Sequence, residues 1–176
     1  LNNYNPKIIA VSKTFPMIDI DPLIKYGHIH FGENKVQEAV EKWSNVKNEI
    51  KNIKLHMVGK LQTNKVKFIL PLFDFIHSLD NLKLAKKISE EQKKIKRNIK
   101  IFIQINIGEE SQKSGVDLDD FEKLYDYCKN ELNLDVIGLM CIPPNNNDSE
   151  KYFSKILEIK KKYNLKELSM GMSSDY

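Results

Sequence analysis

The chain has 176 residues, of which 41% are hydrophobic and 30% charged, a composition typical of a globular protein and not of a disordered one. Lysine and arginine exceed aspartate and glutamate by 28 − 24 = 4, a surplus too small and too dispersed to indicate a nucleic-acid-binding protein. No apolar run approaches the length of a membrane span, so we expect a soluble intracellular protein, cytoplasmic unless a targeting leader has been removed.

Short apolar runs alternate with longer amphipathic stretches along the whole chain. The runs predict buried β-strands that begin near Ile8, Ile29, Leu55, Phe75, Ile101, Val136 and Leu168. Apolar residues at helical spacing predict helices over residues 36–46, 82–95, 121–132 and 152–163. Repeated βα units with short connections indicate a parallel sheet, so we expect an α/β fold with a single domain over residues 1–176.

Two features favour a closed barrel over a doubly wound sheet. Gln104 and Asn106 alternate with isoleucines in the fifth run, as in a strand with one face toward a polar barrel mouth. No G-x-G-x-x-G motif follows the first run, which counts against a dinucleotide-binding fold. Seven strands are visible, the last over residues 167–172. We therefore expect a TIM-type (β/α)8 barrel that lacks its last βα unit and is incomplete at its C-terminal end.

Lys13 stands where the first apolar run stops, shortly before Pro16. Barrel enzymes and binding proteins place their chemistry at the carboxyl ends of the strands. A lysine held there is expected to be partly desolvated and able to attack an aldehyde as a nucleophile. The alternative is a solvated surface charge, which most of the 27 lysines must be.

The segment after the seventh run is rich in small residues and hydroxyls, SMGMSSD over residues 169–175. After the seventh strand of a barrel such a segment presents N–H and O–H donors to a phosphate, although an ordinary Ser/Asp helix N-cap would look the same. The single arginine, Arg97, leaves few other phosphate ligands. Pyridoxal 5′-phosphate requires an amine for its aldehyde and, at the same end of the barrel, a site for its phosphate, here called the phosphate seat.

The histidines and cysteines indicate no metal site and no disulfide framework. His28 and His30 are expected to share one face of the second strand, but no third ligand stands at fitting spacing. His56 lies inside the third run and is expected to be a hydrogen-bonded core histidine. Cys128 and Cys141 fall on an apolar helix stripe and at a strand end, which indicates reduced core thiols.

Six stretches, in order and across nearly the whole chain, resemble the pyridoxal 5′-phosphate homeostasis protein family, single-domain relatives of the alanine racemase N-terminal barrel. They are IAVSKT (9–14), FGENKVQE (31–38), HMVGKLQTNK (56–65), QINI with KSG (104–107 and 113–115), GLM (138–140) and LSMGMS (168–173). The family's chain continues with a helix and a Gly-Thr-x-x-Arg-x-Gly strand that this sequence does not contain. We therefore expect the natural protein to be longer, or its open edge to be covered by a partner.

The resemblance implies a cofactor carrier with no established catalytic turnover. In that reading Lys13 forms the internal aldimine, Asn34 lines the pocket, and the segment after the seventh strand binds the phosphate. The cofactor-binding residues that the resemblance implies are Lys13, Asn34, Ser169, Gly171, Met172 and Ser173. The expected recipients are apo-enzymes that use pyridoxal phosphate, and the expected oligomeric state is a monomer.

Two other functions stay open. A racemase of the related fold needs a second base opposite the lysine. In such enzymes a separate β domain and a partner subunit provide that base, and 176 residues leave no room for the domain. A phosphosugar barrel would use the same phosphate seat, but it gives Lys13 a role only as a Schiff-base aldolase, for which acid/base carboxylates at the strand ends are missing.

Overall fold

The computed structural model describes residues 6–108, 114–144 and 149–171, and in these ranges seven parallel strands form one sheet in sequence order. The strands are β1 (Ala10–Val11), β2 (His30–Glu33), β3 (Lys54–Met57), β4 (Phe75–Leu79), β5 (Lys100–Gln104), β6 (Asp135–Met140) and β7 (Glu167–Ser169). The helices are α1 (Met17–Lys25), α2 (Val36–Glu49), α3 (Val66–Ile69), α4 (Leu82–Ile95), α5 (Leu118–Asp126) and α6 (Ser149–Lys162). A 3-10 turn precedes α3, and a π-helical turn continues α5. No helix in these ranges is both long enough and apolar enough to cross a membrane.

The predicted strands are confirmed, each beginning within two residues of its predicted start. The predicted end of the last strand is wrong: β7 stops at Ser169, and Gly171 adopts a φ of +112°, which is incompatible with an extended strand. Helix α1 is absent from the predicted elements because Pro22 lies in its interior, where proline removes a helical hydrogen bond.

The sheet is strongly curled, because strands far apart in its order meet through their side chains. His77 Nδ1 in β4 lies 2.8 Å from Ser169 Oγ in β7. In a flat sheet three strand spacings would separate these strands by roughly 14 Å, which the two side chains could not span. The sheet is therefore a half-barrel with a concave inner face, and the predicted barrel-type α/β fold is confirmed.

The main hydrophobic core lies between the convex face of this sheet and the helices. Phe31 of β2 packs on Trp43 of α2 with ring centroids 4.9 Å apart, and both side chains are fully buried. Cys128 and Cys141 are buried and unpaired, as predicted. Burial without a compensating charge raises the pKa of both thiols to about 12, so they remain protonated core groups.

Candidate functional site

Lys13 lies two residues after the end of β1, at the carboxyl end of the sheet where the sequence places it. The predicted partial desolvation is wrong, because Lys13 is exposed. In the described ranges β1 pairs only with β2, so Lys13 lies next to an edge of this sheet.

The residues on either side of Lys13 are nevertheless held firmly. Ser12 Oγ donates a hydrogen bond of 2.8 Å to Glu33 Oε1 at the end of β2. The backbone N–H of Thr14 donates one of 2.6 Å to Glu38 Oε1 in α2. That bond lowers the pKa of the Glu38 carboxyl, since it stabilises the carboxylate form. Two flanking anchors therefore hold the backbone of an exposed lysine.

Lys42 of α2 connects these anchors. Its ammonium donates to Glu33 Oε1 at 2.9 Å, to Glu38 Oε1 at 3.2 Å and to the backbone oxygen of Ser12 at 2.7 Å. Trp43 Nε1 donates a further bond of 2.8 Å to Glu33 Oε1. The side chains of Lys42 and Glu33 are 8% and 0% exposed, so this is a buried ion pair, sustained by its additional hydrogen bonds.

Asn34 lies just after β2 and is half-buried. The loop after β3 packs against its backbone: a Cβ on Gly59 would lie only 2.3 Å from the Asn34 carbonyl oxygen, so this approach requires glycine. A cleft of about 440 Å³ opens beside Asn34, between the first turns of α2 and the segment that holds Lys60 and Gln62. Lys13 and Ser169 are not among its lining residues.

Ser169 ends β7 and is half-buried, with its hydroxyl bonded to a histidine of the inner face. Gly171 is exposed, and no heavy atom of the described residues lies within 4 Å of the position that a Cβ would take there. Met172 and Ser173, the other two residues of the predicted phosphate seat, lie outside the described residues.

The polar residues predicted to line the mouth on β5 are buried there, and they hold the following loop. Gln104 Nε2 donates to the Ser114 carbonyl oxygen at 3.1 Å, and Asn106 Nδ2 donates to Asp117 Oδ1 at 3.1 Å. Gly115, with a φ of +127°, brings this loop against the Asn106 backbone. The described residues of this loop, 114–117, thus pack against the end of β5.

A chain of three histidines crosses the inner face, which the sequence did not predict. His30 Nδ1 lies 2.9 Å from His56 Nε2, and His56 Nδ1 lies 2.8 Å from His77 Nε2. The prediction that His56 is a hydrogen-bonded core histidine is confirmed. His28 lies before β2, not on it, and its ring packs edge-on against Phe31. The available signal was one histidine in each of three successive strands.

These imidazoles are neutral at pH 7. Burial lowers the pKa of His56 to about 2, with a smaller contribution from the neighbouring rings, and burial lowers the pKa of His77 to about 3. Partial burial, followed by repulsion from Lys7, lowers the pKa of His30. In the described ranges no group of three or more His, Cys, Asp or Glu residues is arranged to hold a metal ion.

Comparison with known proteins places this geometry in a family. The model of the alanine racemase N-terminal domain matches residues 1–176. The pyridoxal phosphate homeostasis protein of Aquifex aeolicus is 38% identical over 181 residues, which cover 97% of this chain and 78% of the relative. The protein of the same name from Haemophilus influenzae is 35% identical over 184 residues, covering 99% and 78%.

Solved structures agree with this placement. PipY of Synechococcus elongatus superimposes with a TM-score of 0.86 at 32% identity without pyridoxal phosphate, and of 0.83 at 30% identity with it bound. Each match covers 98% of this chain and 85% of PipY. Alanine racemase from Corynebacterium glutamicum shares the fold, with a TM-score of 0.70 at 17% identity over 96% of this chain and 51% of that enzyme. This chain belongs to the pyridoxal phosphate homeostasis proteins, within the family of the alanine racemase N-terminal domain.

Proposed function

We propose that this protein binds pyridoxal 5′-phosphate as a reversible Schiff base on Lys13 and buffers and delivers the cofactor without catalytic turnover. The observation that carries the proposal is the position of Lys13 and Ser169 at the carboxyl ends of β1 and β7, on the same rim of a curled parallel sheet. Two findings support it: relatives are named for pyridoxal phosphate homeostasis, and PipY has been solved with the cofactor bound.

A carrier needs an exchangeable bond on a lysine that an incoming amine can reach. Its amine attacks the aldehyde carbon of the cofactor and water leaves, which forms a carbon–nitrogen double bond. An incoming amine reaches the same carbon from solvent, forms its own imine and releases the lysine nitrogen. A buffer needs this exchange, because the bond must open without a dedicated catalyst. The anchors at Ser12 and Thr14 keep the amine on the rim while its tip stays accessible.

Two described residues support an anion site at the predicted phosphate seat. Ser169 has a hydroxyl at the end of β7, and Gly171 has no side chain to stand between its backbone and a ligand. We include Met172 and Ser173 in this seat, as the family resemblance implies, and Asn34 as the residue lining the cofactor pocket. We further propose that the protein acts in the cytoplasm as a monomer, with apo-enzymes that use pyridoxal phosphate as recipients.

Trapping the bound aldehyde tests the proposal. The purified protein is incubated with pyridoxal phosphate, reduced with borohydride and digested, and the modified peptide is identified by mass spectrometry. We expect the adduct on Lys13 and its loss in Lys13→Ala, while Lys25→Ala, which removes an exposed lysine of α1, still carries it. An adduct located mainly on another lysine of the unmodified protein would refute the assignment.

An activity assay separates the carrier from the racemase-like alternative. Racemisation needs a base on each face of the cofactor. We expect L-alanine and L-serine to keep their configuration when incubated with the loaded protein, as followed by chiral chromatography. Turnover that disappears in Lys13→Ala would favour the enzyme instead.

A further inference from the structure

The three histidines of the inner face are joined head to tail. In each hydrogen bond Nδ1 of one ring meets the next residue. Nδ1 of His30 lies 2.9 Å from Nε2 of His56, Nδ1 of His56 lies 2.8 Å from Nε2 of His77, and Nδ1 of His77 lies 2.8 Å from Oγ of Ser169. We call His30, His56 and His77 the histidine relay. It runs from β2 to the predicted phosphate seat at the end of β7.

Neighbouring aromatic rings hold the relay in this orientation. His56 stacks on Phe75 with centroids 4.2 Å apart and an interplanar angle of 3°, and His77 stacks on Phe102 at 4.2 Å and 16°. His56 and His77 are 4% and 1% exposed, so water does not replace a missing partner at these nitrogens. Each ring must therefore make its hydrogen bonds with the neighbouring members of the relay.

A neutral imidazole has one N–H donor and one acceptor nitrogen. In a head-to-tail chain of neutral rings only two arrangements keep all the hydrogen bonds. Either every ring carries its proton on Nδ1 and donates toward Ser169, or every ring carries it on Nε2 and the Ser169 hydroxyl donates to His77. If two neighbouring rings carry their protons on different nitrogens, the pair of nitrogens between them holds either two protons or none, and that hydrogen bond is lost. The protonated nitrogen in one ring therefore fixes it in all three.

Burial is the main reason that the relay is neutral, since it lowers the pKa of all three rings. Lys7, His28 and Lys54 further disfavour a positive charge on His30, while Asp74 favours it. The adjacent rings, Lys47 and Lys7 further disfavour a positive charge on His56. With protonation disfavoured, the relay can respond to a ligand by moving its protons from one nitrogen to the other within each ring.

We propose that an occupied phosphate seat sets the direction of the histidine relay, so that His77, His56 and His30 act as positioning residues for the phosphate-binding hydroxyl of Ser169. The phosphate monoester is mainly a dianion above its second pKa of about 6, and a dianion only accepts hydrogen bonds, so the Ser169 hydroxyl must donate to it. Its oxygen then accepts from His77 Nδ1–H, and all three rings take the Nδ1–H form. Aligned donors polarise one another and strengthen the terminal hydroxyl as a donor.

This inference rests on the proposed function only for the ligand at the seat. Its test is nitrogen-15 NMR of histidine-labelled full-length protein, in which long-range couplings identify the protonated nitrogen of each ring. We expect all three rings of the relay in the Nδ1–H form when pyridoxal phosphate is bound. Pyridoxal, which has the aldehyde but no phosphate, should occupy Lys13 without imposing that form.

The possible outcomes separate the two proposals. A mixed set of forms among the three rings, or an Nε2–H form with pyridoxal phosphate on Lys13, overturns the relay and leaves the carrier function standing. If no cofactor adds to Lys13, the carrier function fails. The relay is then tested with inorganic phosphate: a change of all three rings to the Nδ1–H form on addition supports it, and a mixed set of forms, or no change, refutes it.

A variant of the central ring gives a second readout. His56→Phe keeps a ring that can stack on Phe75 and removes both nitrogens, and Tyr26→Phe, at an exposed residue outside the relay, is the control. We expect His56→Phe to weaken binding of pyridoxal phosphate by roughly threefold to tenfold and to leave pyridoxal binding unchanged. Equal losses for both ligands would indicate a general effect on folding and contradict the positioning role.

Discussion

Removing the charge of Lys42 is expected to destabilise the protein strongly and to loosen the loop that holds Lys13. Lys42→Met keeps an unbranched side chain of similar length but leaves the Glu33 carboxylate without its cation. That carboxylate is fully buried, and its second oxygen, Oε2, has no hydrogen-bond partner among the described residues. Its remaining contacts are the hydrogen bonds from Ser12 and Trp43.

The magnitude follows from the burial of the pair. Removing one partner of a buried ion pair costs about 3–5 kcal/mol, because the other charge stays buried and uncompensated. In a protein of this size 1 kcal/mol corresponds to about 2–4 °C in Tm, so we expect Tm to fall by ~6–20 °C. Calorimetry measures the shift. Borohydride trapping at a temperature where the variant is folded measures the effect on Lys13, which we expect to become a slower and less selective target.

Matched variants show whether the buried charge is the cause. Lys25→Met removes an exposed ammonium paired with Asp21, for which we expect a loss below about 1 kcal/mol. Glu33→Gln combined with Lys42→Met removes both charges and should recover part of the stability lost in Lys42→Met. A Tm shift of Lys42→Met no larger than that of Lys25→Met would refute the reasoning.

Two further predictions concern the inner face and the loop beside Asn34. Because the pKa values of His56 and His77 lie below the ordinary 6.5, the unfolded chain binds more protons below pH 6.5, and stability falls as pH drops toward 3. Together the two rings should make the free energy of unfolding about 4 kcal/mol smaller at pH 5 than at pH 7, as measured by urea unfolding. The His77→Phe variant should show about half that difference. Equal stability at both pH values would contradict this. Gly59→Ala should lower Tm more than Gly32→Ala. The new Cβ at position 59 would lie 2.3 Å from the Asn34 backbone, whereas the new Cβ at position 32 would lie 3.1 Å from a methyl group of the Ile9 side chain. The reverse order in calorimetry would count against a tight approach at Asn34.

The strand order and the strand-end positions were predictable because they depend on local patterns. Apolar, β-branched runs bounded by polar residues locate β2 to β6 closely and place Lys13 after the first strand, whereas the last strand was predicted to run past Ser169, where β7 ends. The resemblance to a known family then assigned these residues a common ligand. What the local pattern lacks is the set of contacts around a side chain, so it could not show how Ser12 and Thr14 on either side of Lys13 are bonded to Glu33 and Glu38.

The histidine relay and the buried ion pair needed three-dimensional information. His77 and Ser169 are 92 positions apart, and only the curl of the sheet brings them together. Glu33 and Lys42 have the composition of ordinary surface charges, and their burial depends on how α2 packs on the ends of β1 and β2. Alternation within a strand could show which histidines share a face, but not that their rings form one chain.

Trp43 is the only tryptophan in the chain, and its indole donates to the carboxylate that also receives the Ser12 hydroxyl next to Lys13. Because the indole is fully buried, its fluorescence comes from a single, dry environment within two hydrogen bonds of the lysine loop. The protein therefore carries an intrinsic optical probe at the base of its reactive rim. Changes in emission wavelength or intensity report directly on whether that base is intact, without any label.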